Sequence, residues 1–488
     1  MGLAFVPLYI RYLGMEAYGL IGLFVVIQAW LSLLDMGITP TLNREMARFT
    51  AGSHSPQSIN DLLRSLEVIC FTLAVFIALS VWAGSGYLAN DWLKAEQLPI
   101  EVVAHAIAIM AFVVALRFCE GIYRGSLFGL QQQVWYNSIY AILATLRNGG
   151  VVAILAWISP TIEAFFIWQG LISLLTVFMY ATRVHRELPR PPVRPRFSRK
   201  ALAGVWVFAG GMAGTTLLAL LLTQVDKVLL SRLLSLEFFG YYALAAAVVG
   251  ILSTVTGPVA QAVYPRLVEF AAREDSLGLV AVYHQAAQLV AVLTAPLAML
   301  LMFYAEGVVF MWSGDAGLAE NTAPILSVLV VGNFLNSQMV IPYMLQIAHS
   351  WTSLAIKTNA MAVGILIPAI FWIVPRYGAV GAAWIWVVLN AGYILISIQF
   401  MHRRLVAKEK WRWYVADVLM PTSGALAVMM VVQYMQPAGY QDRLRWFAFL
   451  LVSGGAAITV SVVLANSIRH RVLLMIHGAK NFLKVSLW

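Results

Sequence analysis

Apolar residues in this chain run in blocks of about twenty, broken by short polar or basic stretches, and nowhere alternate with a period of two. A block of that length lets an α-helix cross a bilayer, since each residue adds about 1.5 Å. Thirteen such blocks are predicted as helices, at 19–37, 66–86, 101–119, 138–158, 164–182, 204–225, 240–259, 286–305, 322–347, 355–374, 379–400, 416–436 and 446–467. Strands of a membrane barrel would read as alternating segments about half as long, so the pattern predicts an all-α polytopic membrane protein. The first ten residues, MGLAFVPLYI, are too short to span and lack the charged leader and small-residue cleavage site of a signal peptide. They read as the end of a partial first helix, completing a plan of thirteen full spans plus that fragment.

The polar breaks set the orientation. Of the 32 Lys and Arg residues, 24 fall in alternate loops beginning with 38–65 and in the C-terminal tail, whereas 7 fall in the other set. By the positive-inside rule the first set and the C-terminus are cytoplasmic. The net charge of +10 follows from this topology and requires no nucleic-acid partner. Only 11% of residues are charged, against about 25% in an average soluble domain, and the mean hydropathy is +0.81. Cys70 and Cys119 fall within or at the edge of predicted spans, which leaves no disulfide framework and no metal-ligand spacing.

The segment RVHRELPRPPVRPRFSRK, 183–200, breaks helices with Pro and holds the chain at the cytoplasmic face with Arg. It divides the chain into a first lobe, 1–182, with helices 1–6, and a second, 201–402, with helices 7–12; helices 13–14 follow in 403–468 and a basic tail in 469–488. Six is even, so the halves share orientation and any repeat is parallel. One is visible at an offset of 221: RYLGMEAYG, Arg11 to Gly19, aligns with RLLSLEFFG, Arg232 to Gly240. The tail mixes basic and apolar residues, as either an interfacial helix or an ordinary cytoplasmic tail would.

One residue breaks the apolar pattern at its centre. Arg147 lies in the middle of a membrane-length run, where a charge costs about 2.5–3.5 kcal/mol on insertion scales. At 100° per residue it shares a stripe with Asn137, Tyr140, Ala144 and Asn148, which must face protein or water. Either it binds an anion in a hydrated cavity, or it pairs with a buried carboxylate or snorkels; carboxylates at that depth are few in the sequence. A second group, Asp35, Arg44, Glu45, Arg117, Glu120, Arg124 and Arg266, is expected at the cytoplasmic helix ends, as gating ion pairs, an anionic head-group entrance or ordinary boundary charges. Asp226 and Lys227 are the counterpart near the outer surface. Gln169, Asn333 and Gln338 suit helix-packing hydrogen bonds or contacts to sugar hydroxyls, and Gly210 with Gly214 suits close helix packing.

The chain has no Gly-Lys dipeptide and hence no Walker A loop, and neither H-E-x-x-H nor G-x-S-x-G occurs. No enzyme, cofactor or metal is predicted, and a transport or scaffold role carried by helices remains.

At this point the sequence resembles the Wzx-type polysaccharide-repeat flippases of the multidrug/oligosaccharidyl-lipid/polysaccharide superfamily. The residues that carry the resemblance are PLYIRYLGMEAYGLIGLF, LLDMGITPTLNREMARF, IYRGSLFGLQ, TLRNGG with SPTIEAFFIWQ, QVDKVLLSRLLSLEFFGYYALA and VYPRL, in that order along nearly the whole chain. The resemblance implies two six-helix lobes around a central cavity, opening alternately to the two sides of a bacterial inner membrane, with two further helices at the end. It implies undecaprenyl-pyrophosphate-linked oligosaccharide as the substrate, turned over for polymerisation, with a polysaccharide polymerase and chain-length proteins as candidate partners besides membrane lipids. Basic cavity residues of such proteins match Arg147 here, with Asn148, Arg44 and Arg124 as further substrate-binding candidates; Asp35, Arg117, Glu120, Asp226, Lys227 and Arg266 are the gating or ion-pair candidates. Coupling to H⁺ or Na⁺ is left open. Two other classes compete. A cation-coupled drug antiporter of the same superfamily should carry unpaired carboxylates in its cavity, and a membrane-embedded glycan polymerase should carry a sizeable outer loop with Arg or His; the loop near 306–321 has neither.

Overall fold

The computed structural model describes residues 2–35, 37–199, 202, 206–437, 439 and 442–471, leaving aside the side chains of 32–34, 206–216, 218, 219 and 222. The basic tail from 472 onward and the surroundings of Gly210 and Gly214 lie outside the described residues. The protein is a multi-pass membrane protein built from helices, and the described residues contain no β-strand. Ten helical stretches among them are long and apolar enough to cross a membrane. One of these, Ser353–Leu405, covers two of the expected spans. Within it the helix Ser353–Gly392 breaks at Gly378, whose φ of 59° and ψ of −148° lie in a region open essentially only to glycine.

The chain packs as two compact units, Met1–Gly240 and Tyr241–Trp488. In the first unit α1 is Gly2–Leu13, α2 Met15–Leu34, α3 Ile38–Thr50, α4 Pro56–Tyr87, α5 Ile100–Gly129, α6 Gln133–Trp157, α7 Ile162–Glu187 and α8 Trp206–Leu233. The packing boundary thus falls after α8, some forty residues beyond the Pro/Arg segment. That segment is strapped along the start of α4 instead: the Arg196 N–H donates to Asp61 Oδ1 (2.9 Å), Ser198 N–H to Ser65 Oγ (2.8 Å) and Asn60 Nδ2 to the Pro189 carbonyl (3.2 Å).

Helix starts are written locally. Ser55, before Pro56 at the first helical position of α4, accepts from the Ser58 N–H (3.2 Å), and Thr161 caps α7 by accepting from Ala164 (3.3 Å). The core of the first unit is α5, packed against α2, α3, α4 and α7. Three glycines four residues apart seat α3 on it. A Cβ at Gly121 would lie 3.0 Å from Thr39 Oγ1, at Gly125 2.4 Å from the Thr39 carbonyl oxygen, and at Gly129 2.4 Å from the Asn43 carbonyl oxygen. This is small-xxx-small packing of the kind that lets two helix backbones touch.

The two copies of the repeat meet each other. A Cβ on Gly19 would lie 2.3 Å from the Leu236 carbonyl oxygen, and one on Gly240 2.7 Å from that of Met15. Met15 and Leu236 are themselves equivalent at the offset of 221, so the contact is reciprocal, as an isologous pairing requires. Beside it, Glu16 is 3% exposed and accepts the N–H groups of Glu96 (2.5 Å), Gln97 (2.9 Å) and Leu98 (2.6 Å), fixing the loop that follows α4.

The second unit takes in α10 (Ile251–Ala272), α11 (Ser276–Phe303), α12 (Ala305–Ser313), α13 (Ala316–Gln338), α14 (Val340–Ala348), α15 (Ser353–Gly392), α16 (Ile398–Leu405), α17 (Met420–Val432) and α18 (Arg443–Leu464); α9 (Leu236–Val249) runs into it from the first. Its most enclosed helix is α11, started by Asp275 accepting from the Gly278 N–H (2.9 Å). Around it pack α10, α13, α17, α18 and a π-helical turn, Trp413–Leu419.

Candidate functional site: an arginine pair in the first unit

Four helices of the first unit bring their polar residues to one place. On α5, Arg117, Glu120 and Arg124 follow one another at helical spacing along one stripe. Counted back from Gly129 at 1.5 Å per residue, Arg117 lies about 18 Å inside α5, and counted from Gln133, Arg147 lies about 21 Å inside α6. The two arginines therefore belong to one level. Arg117 and Glu120, expected at a cytoplasmic helix end, belong instead with Arg147.

Arg147 donates from Nη2 to Glu120 Oε1 (3.0 Å) and to Thr176 Oγ1 on α7 (3.1 Å). The buried carboxylate of the second alternative is thus present: it is Glu120, on the neighbouring helix. Side-chain exposures of 14% for Arg147 and 18% for Glu120 make it an enclosed ion pair. Arg117 spends Nη1 on Gln28 Oε1 of α2 (2.8 Å) and Nη2 on Gln169 Oε1 of α7 (2.7 Å), with its guanidinium 4.8 Å over the Phe24 ring. The Nε groups of both arginines are buried and have no hydrogen-bond partner among the described residues. The site holds two guanidinium groups against one carboxylate, an excess of one positive charge within membrane-length helices.

The motif TLRNGG explains how α6 comes close enough. A Cβ on Gly150 would lie 2.5 Å from the Trp168 ring of α7, and the Trp168 indole N–H donates to the Leu146 carbonyl (3.0 Å). Asn148 donates to the Ala144 carbonyl (2.8 Å), and its own carbonyl accepts from the Tyr9 hydroxyl of α1 (2.8 Å).

The remaining candidates separate. Asp35 lies before Gly37, the N-cap of α3, and accepts from Thr39 Oγ1 (2.8 Å) and the Thr39 N–H (3.2 Å). Arg124 lies exposed one turn from Glu120, beside Asp35 and Tyr136. Arg44 (2.7 Å), Arg48 (3.2 Å) and His54 (2.8 Å) all converge on Glu45, which is 2% exposed. Burial alone would raise the Glu45 carboxyl, but His54, Arg44 and Arg48 together hold it below the usual carboxylate range. Lys227 sits 3.4 Å from its neighbour Asp226 and donates to the Thr223 carbonyl (2.6 Å). Arg266, exposed on α10, belongs to the second unit. Of the three amides singled out, Gln169 holds Arg117, Gln338 donates to Thr294 Oγ1 (3.0 Å) and Asn333 to the Leu329 carbonyl (2.9 Å).

Residues 9–316 match the model of a family described as polysaccharide biosynthesis protein, well over half of the chain. This chain belongs to that family. A relative from Shigella flexneri named "Putative O-antigen transporter" is 20% identical over 398 residues, covering 81% of this chain and 92% of its own. Among solved structures, the lipid II flippase MurJ in an inward closed conformation superposes with a TM-score of 0.68 at 13% identity, over 96% of this chain and 98% of its own. An inward-facing multidrug resistance MATE family transporter of the MOP superfamily gives 0.65 at 13% identity, over 83% and 93%. This polysaccharide biosynthesis protein therefore has the fold of those membrane transporters.

Proposed function

We propose that the chain is a flippase that moves undecaprenyl-pyrophosphate-linked oligosaccharide repeat units from the cytoplasmic to the periplasmic leaflet of a bacterial inner membrane, by alternating access, with its C-terminus cytoplasmic. The observation that carries this reading is the arginine pair. A diphosphate needs concentrated positive charge away from bulk water, and Arg117 and Arg147 supply it with one carboxylate fewer than would neutralise them. Arg147 is the residue we assign to the diphosphate. Glu120 holds its place while the site is empty and gives way to the stronger anion. Family membership and the transporter fold support the lipid-linked substrate class. A cation-drug antiporter would be served by carboxylates in excess of arginines, the reverse of this arrangement.

No ATP is needed to drive the step. A charge crossing the membrane potential changes its energy by about 2.3 kcal/mol per 100 mV, so export of a dianionic head group toward a positive exterior is favoured by about 4–5 kcal/mol per 100 mV. The test is a strain deleted for this gene and complemented with wild type or Arg147→Ala at equal membrane abundance, with lipid-linked oligosaccharide quantified on each leaflet. Accumulation on the cytoplasmic side, cured by wild type and not by Arg147→Ala, is the expected result. Unchanged lipid-linked sugars in the deletion strain would refute the function, and full rescue by Arg147→Ala would make Arg147 structural.

A further inference from the structure

The second unit contains a polar centre that the arginine pair does not use. On α11, His284 is 1% exposed and both of its ring nitrogens meet carboxylates. Nδ1 faces Asp417, which is fully buried in the π-helical turn, and Nε2 lies 2.9 Å from Glu409 Oε2. Asp417 also accepts from Gln288 Nε2 (3.0 Å), one α-helical turn along α11. A neutral imidazole has a single N–H and satisfies only one of two facing carboxylates. The geometry therefore calls for one proton more than a neutral ring with two carboxylates contains.

Its surroundings fit that proton. With imidazolium between two carboxylates the centre carries one negative charge, which Arg412, 3.5 Å from Glu409, offsets. The other titratable groups nearby are engaged elsewhere. The Tyr283 hydroxyl pairs with His402 Nε2 (3.2 Å), the Tyr414 hydroxyl donates to the Ile394 carbonyl (2.6 Å), and Lys410 donates to Gln399 Oε1 (2.8 Å). Glu409 alone of the three has an outlet, with its side chain 26% exposed against 1% and 0% for the other two.

We propose that Asp417, His284 and Glu409 form a proton-binding centre whose occupancy locks the segment 409–419 onto α11. On release, the Nε2 proton passes to the Glu409 carboxylate and from there to water, while the other proton stays on His284 Nδ1 and is donated to Asp417. The bare Nε2 lone pair then faces a carboxylate oxygen, and repulsion drives Glu409 outward. The centre sits where the last membrane helices are anchored: the turn Trp413–Leu419 leads into α17, and the Ser467 N–H beyond α18 donates to Gln288 Oε1 (3.0 Å). A proton on one aqueous side thereby governs how that helix pair is held.

The test is amide hydrogen exchange of the full-length protein in detergent micelles from pH 5 to 9, corrected for intrinsic rates and read on peptides covering 406–419. Wild type is expected to exchange at least tenfold faster at the alkaline end, while His284→Gln and Glu409→Gln abolish the pH dependence and His402→Gln retains it. A wild-type profile that does not change with pH, or His284→Gln keeping the wild-type dependence, would overturn the proposal. Glu409→Gln leaves the buried Asp417 and His284 pair intact, so it reports even if His284→Gln fails to fold. No transported substrate enters the measurement, and its failure leaves the flippase reading untouched.

Discussion

Replacing Glu120 by Gln removes the only carboxylate bound to Arg147 among the described residues while keeping the shape of the side chain. Two guanidinium groups are then left without a counter-charge inside α5 and α6. Removing one partner of a buried ion pair costs about 3–5 kcal/mol, because the other charge is stranded. Glu120 keeps 18% of its side-chain exposure and the amide oxygen can still accept from Arg147 Nη2, which puts the cost at the lower end, about 3 kcal/mol. Since 1.4 kcal/mol is a factor of ten, the folded-to-unfolded ratio should fall about 150-fold. An anion that takes the place of the carboxylate should restore it. A ligand at 100 times its Kd stabilises by about 2.7 kcal/mol, nearly the whole deficit. The assay is unfolding of purified protein in micelles with farnesyl diphosphate, and with farnesol as the uncharged control. Glu120→Gln should be destabilised and then rescued by the diphosphate, with wild type gaining less because Glu120 competes. A variant as stable as wild type would refute the ion-pair energetics; equal effects of diphosphate and alcohol would refute the anion site.

Two further predictions rest on packing and charge in the first unit. Gly125→Ala should lower folded abundance by about 1–3 kcal/mol of overpacking, since its Cβ would sit 2.4 Å from a main-chain oxygen, whereas Gly84→Ala on α4, with nothing within 4 Å, should be neutral or stabilising by up to about 1 kcal/mol; denaturant midpoints separate the two. Glu45 has its folded carboxyl held low by His54, Arg44 and Arg48, so its contribution to stability is complete above the ordinary carboxylate range and is lost as pH falls through the lowered value. Protease cleavage in the 51–55 loop should accelerate over that acid window in wild type and show no such window in Glu45→Gln.

Legibility from sequence divides along physical lines. Hydrophobic blocks report membrane helices because a bilayer demands length and apolarity from each segment alone. Arg147 was legible for the same reason, as a local violation of a local rule. Its partner was not, because Glu120 lies 27 positions away on another helix and looked like a boundary charge. The His284 centre was missed outright. Its residues are separated by 125 and 133 positions, and Glu409 and Asp417 sit in and beyond a basic stretch that reads only as topology. Glycine spacing was read only in part: Gly121, Gly125 and Gly129, inside a segment read for its charges, carry the close packing of α3 on α5, whereas the surroundings of Gly210 and Gly214 lie outside the described residues.

The repeat at offset 221 shows what a faint pattern can hold. Four identities in nine positions carry little weight between two membrane segments, and the sequence offers no reason for Gly19 and Gly240 in particular. The structure supplies one. Each glycine receives the main-chain oxygen of the residue equivalent to the one its partner receives, Leu236 for Gly19 and Met15 for Gly240. Such a crossing is possible only if both copies lack a Cβ at the same register, because a side chain on either would push its backbone off the other. The two glycines therefore constrain each other, and that is why the matched position at the crossing is glycine in both copies.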